Sequence, residues 1–239
     1  MKRALVTGGS GDIGSAICRA LAAAGMHVCV HANSQPARAD EVVEAIRAQG
    51  GSAERVVFDL TQAEACETAL AGILKAGPVQ VLVHNAGIHD DAPLAGMTPA
   101  QWHNVIDVSL HGFYHVCRPL LLPMMRTRWG RVIGLSSEAA VSGNRGQANY
   151  AAAKAGLQGA IKSLAIELGS RGVTANAVAP GIIAGSMSQD AFPEDMIRQL
   201  VPMQRAGRPE EVAALVSFLA SDAASYISGQ VICINGAMS

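Results

Sequence analysis

Between Ser137 and Lys154 the chain reads SEAAVSGNRGQANYAAAK and gathers a hydroxyl, a phenol and an ammonium within eighteen residues. Tyr150 and Lys154 stand four apart. Asn149 to Ala165 is Ala-rich and Pro-free, with Leu157, Ile161, Leu164 and Leu168 on a repeating face, so a helix there projects both side chains from one side. An ammonium beside a phenol favours the phenolate, lowering a pKa normally near ~10 towards the working range of a general acid or base. Ser137 follows the apolar run Arg131-Val132-Ile133-Gly134-Leu135, so it is expected at a strand end, where its hydroxyl can donate to a substrate oxygen. Taken alone, Tyr-x-x-x-Lys is more often the spacing of an ordinary surface pair. The elements that must hold these side chains therefore decide its meaning.

Arg3 to Val6 is a short apolar strand running into Thr7-Gly8-Gly9-Ser10-Gly11-Asp12-Ile13-Gly14, then a helical run, Ala16 to Ala24, closed by Gly25. A Gly-rich turn between strand and helix lets backbone N–H groups approach a pyrophosphate, and the helix N-terminus adds partial positive charge; a mere tight turn is the other reading. The strand Val28-Cys29-Val30 ends in His31-Ala32-Asn33-Ser34, without an acid. A site selective for NAD places a carboxylate there for the ribose hydroxyls, so its absence argues for NADP. Asn33, Ser34 and Arg38 are the available phosphate partners, or else a solvated loop.

Ala37 to Gln49 reads as a helix, Arg55 to Phe58 as a strand ending in Asp59-Leu60, and Gln62 to Lys75 as a helix. Val79 to Val83 is a strand running into His84-Asn85-Ala86-Gly87, where Asn85 and Gly87 suit the lips of a ligand crevice. This alternation, with near-continuous apolar strands, describes an α/β chain whose parallel sheet is covered on both faces by right-handed crossovers.

Gln101 to Arg126 is expected as a long helix, interrupted at Gly112 and kinked or ended by Pro119 and Pro123. His111-x-x-x-His115 has metal-like spacing, but no carboxylate completes a zinc pattern, so no metal is expected. Val173 to Ala179 is a strand ending in Pro180-Gly181. Ile182 to Gln204 is weakly helical and carries Met187, Phe192, Met196, Leu200, Val201 and Met203. It reads as a flap over an apolar substrate, or as a surface packed on a neighbouring subunit. Pro209 to Ala220 is a capped helix and Val231 to Ile234 the seventh strand.

With 239 residues, 50% of them hydrophobic, the chain suits one domain, 1–239, with the flap at about 182–207. A net charge of −1 with 15% charged residues gives no footprint for nucleic acid or an anionic membrane. No stretch has the ~20 apolar residues of a membrane span. The apolar run after Met1-Lys2-Arg3 is too short for a signal peptide. Cys18, Cys29, Cys66, Cys117 and Cys233 lack metal or redox spacing and are expected as small buried hydrophobes in a reducing cytoplasm.

With Gly8 to Gly14, Asn85-Ala86-Gly87, Ser137, Tyr150-x-x-x-Lys154 and Pro180-Gly181 all in order, the chain resembles the short-chain dehydrogenase/reductase family along essentially its full length. Within it the likeness is to bacterial 3-oxoacyl-[acyl-carrier-protein] reductases, on Gly143 to Lys154, Gly207-Arg208-Pro209-Glu210-Glu211-Val212-Ala213, Ser225 to Gln230 and Asn235-Gly236. The resemblance implies a Rossmann-type, doubly wound, seven-stranded parallel sheet. It also implies NADPH as cofactor, an acyl-carrier-protein-bound substrate and a homotetramer. Tyr150 is then the proton donor, Ser137 orients the ketone, and Lys154 holds the nicotinamide ribose while lowering the Tyr150 pKa. The implied cofactor cradle comprises Gly8, Ser10, Gly11, Asp12, Ile13 and Gly14, with Asn33 and Ser34. Asp59 beside Leu60 meets the adenine, Asn85, Ala86 and Gly87 meet the adenosine ribose, and Pro180, Gly181 and Ile183 complete the cradle. Arg128 and Arg171 fall where such reductases carry arginines that meet the acidic carrier.

Three positions depart from that pattern. Asp12 replaces the middle glycine of Gly-x-x-x-Gly-x-Gly, and an acid there repels pyrophosphate unless it turns away to cap the helix. Ser109 stands at the fourth catalytic position, an asparagine in the pattern Asn-Leu-x-Gly, where a serine keeps the backbone carbonyl and loses the side-chain brace. Gly185 stands where a threonine follows Pro-Gly, leaving Ser186 as its substitute near the nicotinamide amide.

Overall fold

Seven apolar runs, each too short for a stable helix, pair into one sheet in the computed structural model, which describes residues 1–186 and 192–239. The strands are β1 Arg3–Thr7, β2 His27–Ala32, β3 Ser52–Val57, β4 Val81–His84, β5 Gly130–Leu135, β6 Val173–Pro180 and β7 Val231–Ile234. Their order is β3-β2-β1-β4-β5-β6-β7, and every pairing is parallel. The order reverses between β1 and β4, which opens a crevice at their carboxyl ends.

Parallel neighbours need crossovers, and the helices between them fill both faces. They are α1 Asp12–Ala23, α2 Pro36–Ala48, α3 Ala63–Lys75, α4 Pro99–Ile106, α5 Gly112–Arg126, α6 Ala139–Ser142, α7 Ala148–Leu168, α8 Glu194–Leu200 and α9 Pro209–Leu219. The period of two along β1 shows how the core divides: Ala4 and Val6 face α1, α2 and α9, whereas Leu5 faces α3, α5 and α7. Helix α7 sits so closely on β5 that a Cβ on Gly134 would collide with Ile161. That close seat brings the start of α7 to the carboxyl end of β5.

Element boundaries differ from the sequence expectation mostly by a few residues, and two differences are larger. The helix expected over 101–126 is two helices joined by a π-turn, Asp107–His111, and it is this turn rather than the prolines that breaks it. Pro119 and Pro123 lie inside α5, four apart on its partly exposed side. The buried row Phe113, Val116, Cys117, Leu120 and Met124 on the opposite side outweighs the two missing donors. Among the described residues of the flap only Glu194–Leu200 is helical, and Met187 lies outside the described residues. Four cysteines are buried as expected, but Cys233 is exposed because β7 is an edge strand.

Candidate active site at the carboxyl edge of the sheet

Ser137 leaves β5 one residue after buried Ser136, and Tyr150 and Lys154 rise from the first turns of α7. The Ser137 hydroxyl hydrogen-bonds the Tyr150 phenol and accepts the N–H of Ala139 at 3.2 Å. The Lys154 ammonium is buried, donates to the Leu135 carbonyl at 2.8 Å and stands 5.7 Å from the centre of the Tyr150 ring. Two further contacts fix the register of α7. Ser136 Oγ donates to the Lys154 carbonyl at 3.1 Å, and buried Asn149 donates to the carbonyls of Asp90 and Gln101, each at 3.0 Å.

Tyr150 is less acidic than a free phenol, the reverse of the sequence expectation. Burial raises its pKa, and the Ser137 hydrogen bond only partly opposes that. Lys154 is itself so enclosed that burial lowers it to about 8. Burial disfavours the charged form of each group, and the Lys154 ammonium, turned to the Leu135 carbonyl, is not among the groups that move the phenol.

Beside this group the Gly-rich turn fits a dinucleotide. A Cβ on Gly14 would run into the Gly8 carbonyl, one on Gly8 would meet Ala86 Cα at 3.0 Å, and one on Gly87 would stand 2.9 Å from Lys154 Nζ. Bare backbone therefore forms the cradle wall, as close approach to a pyrophosphate requires. Asn85 does not hold its amide out to a ribose: it donates to the carbonyls of Thr7 and Gly8, at 3.2 and 3.0 Å, and so braces the turn. Asp59 Oδ1 accepts from the backbone and hydroxyl of Thr61, and the Leu60 carbonyl accepts from His115. Asn33 and Ser34 are exposed past the end of β2, with Arg38 in the first turn of α2. The Gly181 N–H donates to the Ile234 carbonyl, and Ile183 bridges to Gly207.

Asp12 does not cap its own helix, whose N-cap is Gly11 without a side-chain bond. Its carboxylate instead accepts the N–H and hydroxyl of Ser186, so Ser186 is engaged with Asp12 rather than turned to a nicotinamide amide. Ser109 is fully buried in the π-turn, and its hydroxyl has no partner among the described residues. Arg128 and Arg171 stand at the opposite end of the molecule, before the amino ends of β5 and β6. His111 pairs with Asp107 and His115 with a backbone carbonyl, which divides the metal-like pair. His27, Cys29 and Glu54 do cluster, but the Arg3 guanidinium already lies 3.1 Å from the Glu54 oxygen they share.

Sequence reasoning missed two histidines that hold the turn. Thr7 Oγ1 accepts the N–H groups of Asn85 and Ala86, so its own proton goes to His84 Nδ1. His84 Nε2 then carries a proton and donates to the Ser109 carbonyl at 3.1 Å. On β2, His31 accepts the Gly8 N–H at Nδ1 and donates from Nε2 to the Phe58 carbonyl. Burial holds both neutral, lowering His84 to about 3 and His31 to about 4. Buried Glu138 was missed as well; it accepts from Asn235 at 2.7 Å behind Pro180 and Gly181. A histidine ending an apolar strand before a glycine turn was the one available signal.

Residues 9–239 match a family model described as Enoyl-(Acyl carrier protein) reductase. The chain is 44% identical over 237 residues to the 3-oxoacyl-[acyl-carrier-protein] reductase of Synechocystis sp., covering 98% of this chain and 96% of that one. It is 40% identical over 236 residues to 3-oxoacyl-[acyl-carrier-protein] reductase FabG of Aggregatibacter actinomycetemcomitans, covering 98% of each. It is also 40% identical over 241 residues to the Pseudomonas aeruginosa protein of that name, covering 99% and 97%.

Proposed function

The chain belongs to the short-chain dehydrogenase/reductase family, and from that premise we propose that it reduces a 3-oxoacyl thioester, carried on acyl carrier protein, to the 3-hydroxyacyl thioester in fatty-acid synthesis. The observation that carries the reading is the convergence of Ser137, Tyr150 and Lys154 beside a glycine cradle at the carboxyl edge of the sheet. The cofactor is a nicotinamide dinucleotide, which supplies the hydride when bound.

The chain's own residues do the rest. Tyr150 keeps its proton at neutral pH and delivers it from the phenol oxygen to the ketone oxygen. Ser137, already bonded to that phenol, donates to the same ketone oxygen and aims it. Lys154 presents a buried positive charge across Gly87 and holds the ribose side of the cofactor. His84 fixes the Ser109 carbonyl of the π-turn, and the Ser109 side chain lies on the same side of Gly87 as Lys154.

NADPH is the preferred form. The end of β2 bears no carboxylate to repel a 2′-phosphate, while Asn33, Ser34 and Arg38 stand beside it as donors. Residues 182–207 form the substrate flap of a single domain, with Met196, Leu200 and Met203 exposed on it. Arg128 and Arg171 meet the acidic carrier, and the chain works as a homotetramer. Its free thiols suit the reducing cytoplasm. Steady-state rates test the whole reading: a 3-oxoacyl thioester on carrier protein against free ketones, each with NADPH and with NADH. The reading expects the carrier thioester with NADPH to give the highest kcat/KM. Equal kcat/KM on simple free ketones would reassign the substrate, and equal use of NADH would reassign the cofactor.

A further inference from the structure

The Asp12 carboxylate begins α1 yet bonds outside its own helix. Oδ2 accepts from the Ser186 N–H at 2.7 Å and from its hydroxyl at 2.8 Å, and Oδ1 lies 3.6 Å from Arg38. Those donors hold the carboxyl below the usual carboxylate range, so it is ionised at neutral pH. In sheet order β4 and β5 stand between β1 and β6. A bond from the start of α1 to the segment leaving β6 therefore crosses the mouth of the crevice above those strands. A Cβ on Gly185 would stand 2.6 Å from Asp12 Oδ2, and Asp12 can yield that space only by releasing Ser186.

We propose that Asp12 is a positioning residue for the dinucleotide: it clasps the segment after β6 across the crevice, and Gly185 lacks a side chain because the Asp12 carboxylate fills its place. The proposal rests on the dinucleotide reading above and explains two departures from the family pattern as one device. It also separates two opposed effects of Asp12. Its charge disfavours an arriving pyrophosphate at the same helix N-terminus, whereas its hydrogen bonds hold Ser186, and the segment leaving β6, across the crevice.

Asp12→Asn and Asp12→Ala differ in the clasp but not in charge, because only the amide keeps an oxygen for Ser186. NADPH dissociation constants from fluorescence titration should be about tenfold weaker for Asp12→Ala than for Asp12→Asn. Hydrogen exchange should show the Ser186 amide about tenfold less protected in Asp12→Ala. Gly185→Ala should release Ser186 in the native chain and have a several-fold smaller effect in the Asp12→Ala background. Gly185 has φ +156°, so a side chain is strained in both backgrounds and only the difference between them is read. Ser186→Ala, an exposed change, should weaken NADPH binding in the native chain and leave Asp12→Ala unaltered. Equal NADPH affinity in the two Asp12 variants, or an equal Gly185→Ala effect in both backgrounds, overturns the clasp. A native chain that binds no NADPH while Ser186 stays protected overturns the dinucleotide reading and the positioning role with it.

Discussion

Lys154 and Tyr150 are displaced in opposite directions by the same burial, and that decides which of them limits the reaction as pH changes. The phenol, raised by desolvation, is protonated throughout the neutral range and ready to act as an acid. The ammonium, lowered to about 8, begins to lose its charge just above neutrality. Ketone reduction should therefore be flat below pH about 8 and fall above it as Lys154 deprotonates. Lys154→Arg, which stays charged, should turn more slowly but without that falling limb. A limb unmoved in the variant would belong to another group. Tyr150→Phe should cut turnover by about 10²- to 10⁴-fold, the usual share of a general acid, with the NADPH dissociation constant within about twofold of native. Near-native turnover would remove Tyr150 from the role of proton donor. The pairing of these side chains was legible in the sequence because a spacing of four on a helix is a local property. The direction of the Tyr150 shift was not, because the desolvation comes from elements far away in the chain.

At the level of elements, the end of β1 is held between two buried imidazoles, His31 from β2 and His84 from β4. Each serves as acceptor on one nitrogen and donor on the other, which only the neutral ring can do. Protonating His31 deprives the Gly8 N–H of its acceptor. Protonating His84 sets a new donor against Thr7 and a second charge near Lys154, with only the Ser109 carbonyl favouring it. Around His31, burial outweighs the Phe58 carbonyl and Asp59, the two groups that favour the charged ring. Both folded pKa values, about 4 and about 3, lie below the 6.5 of a free histidine. The unfolded chain thus binds more protons as pH drops from 6.5 towards 4, and stability falls over that window by up to ~1.4 kcal/mol per pH unit for each histidine. Urea unfolding at pH 7, 5.5 and 4.5 should show this decline. His31→Gln, whose amide offers an acceptor and a donor that do not titrate, should lessen the slope. An unchanged slope would place the acid sensitivity in the carboxylates. The strand and helix alternation that carries these histidines was readable from apolar periodicity. The π-turn at Asp107–His111 was not, because a shift in helical hydrogen-bond register leaves the spacing of buried side chains nearly intact.

Across the whole molecule, the catalytic group and the proposed carrier contacts lie at opposite ends of the same two strands. Arg128 precedes β5 and donates to the Ser170 carbonyl, while Ser137 follows β5. The six residues of β5 alone separate the ends by roughly 20 Å. A carrier seated on Arg128 and Arg171 therefore faces away from Tyr150 of its own copy. Apolar side chains stand out from several elements, Ile166 at 85% exposure on α7, Tyr226 fully exposed ahead of the edge strand β7, and Leu122 on α5. Such surfaces favour self-association, and in the proposed tetramer the docking role requires the arginines of one copy to stand at the crevice of another. The consequence is complementation. A Tyr150→Phe chain keeps its arginines and has lost its acid; an Arg128→Glu, Arg171→Glu chain keeps its acid and has lost its carrier contact. Each alone should be slow on a carrier-bound thioester. Mixed tetramers formed by co-expression should regain a substantial fraction of native activity on that substrate. A small thioester that needs no docking should be turned over by the arginine variant alone, in proportion to its intact Tyr150 copies. If the mixed tetramers gave only the sum of the two separate rates, each copy would have to receive its carrier directly, and the arginines would have no docking role between subunits.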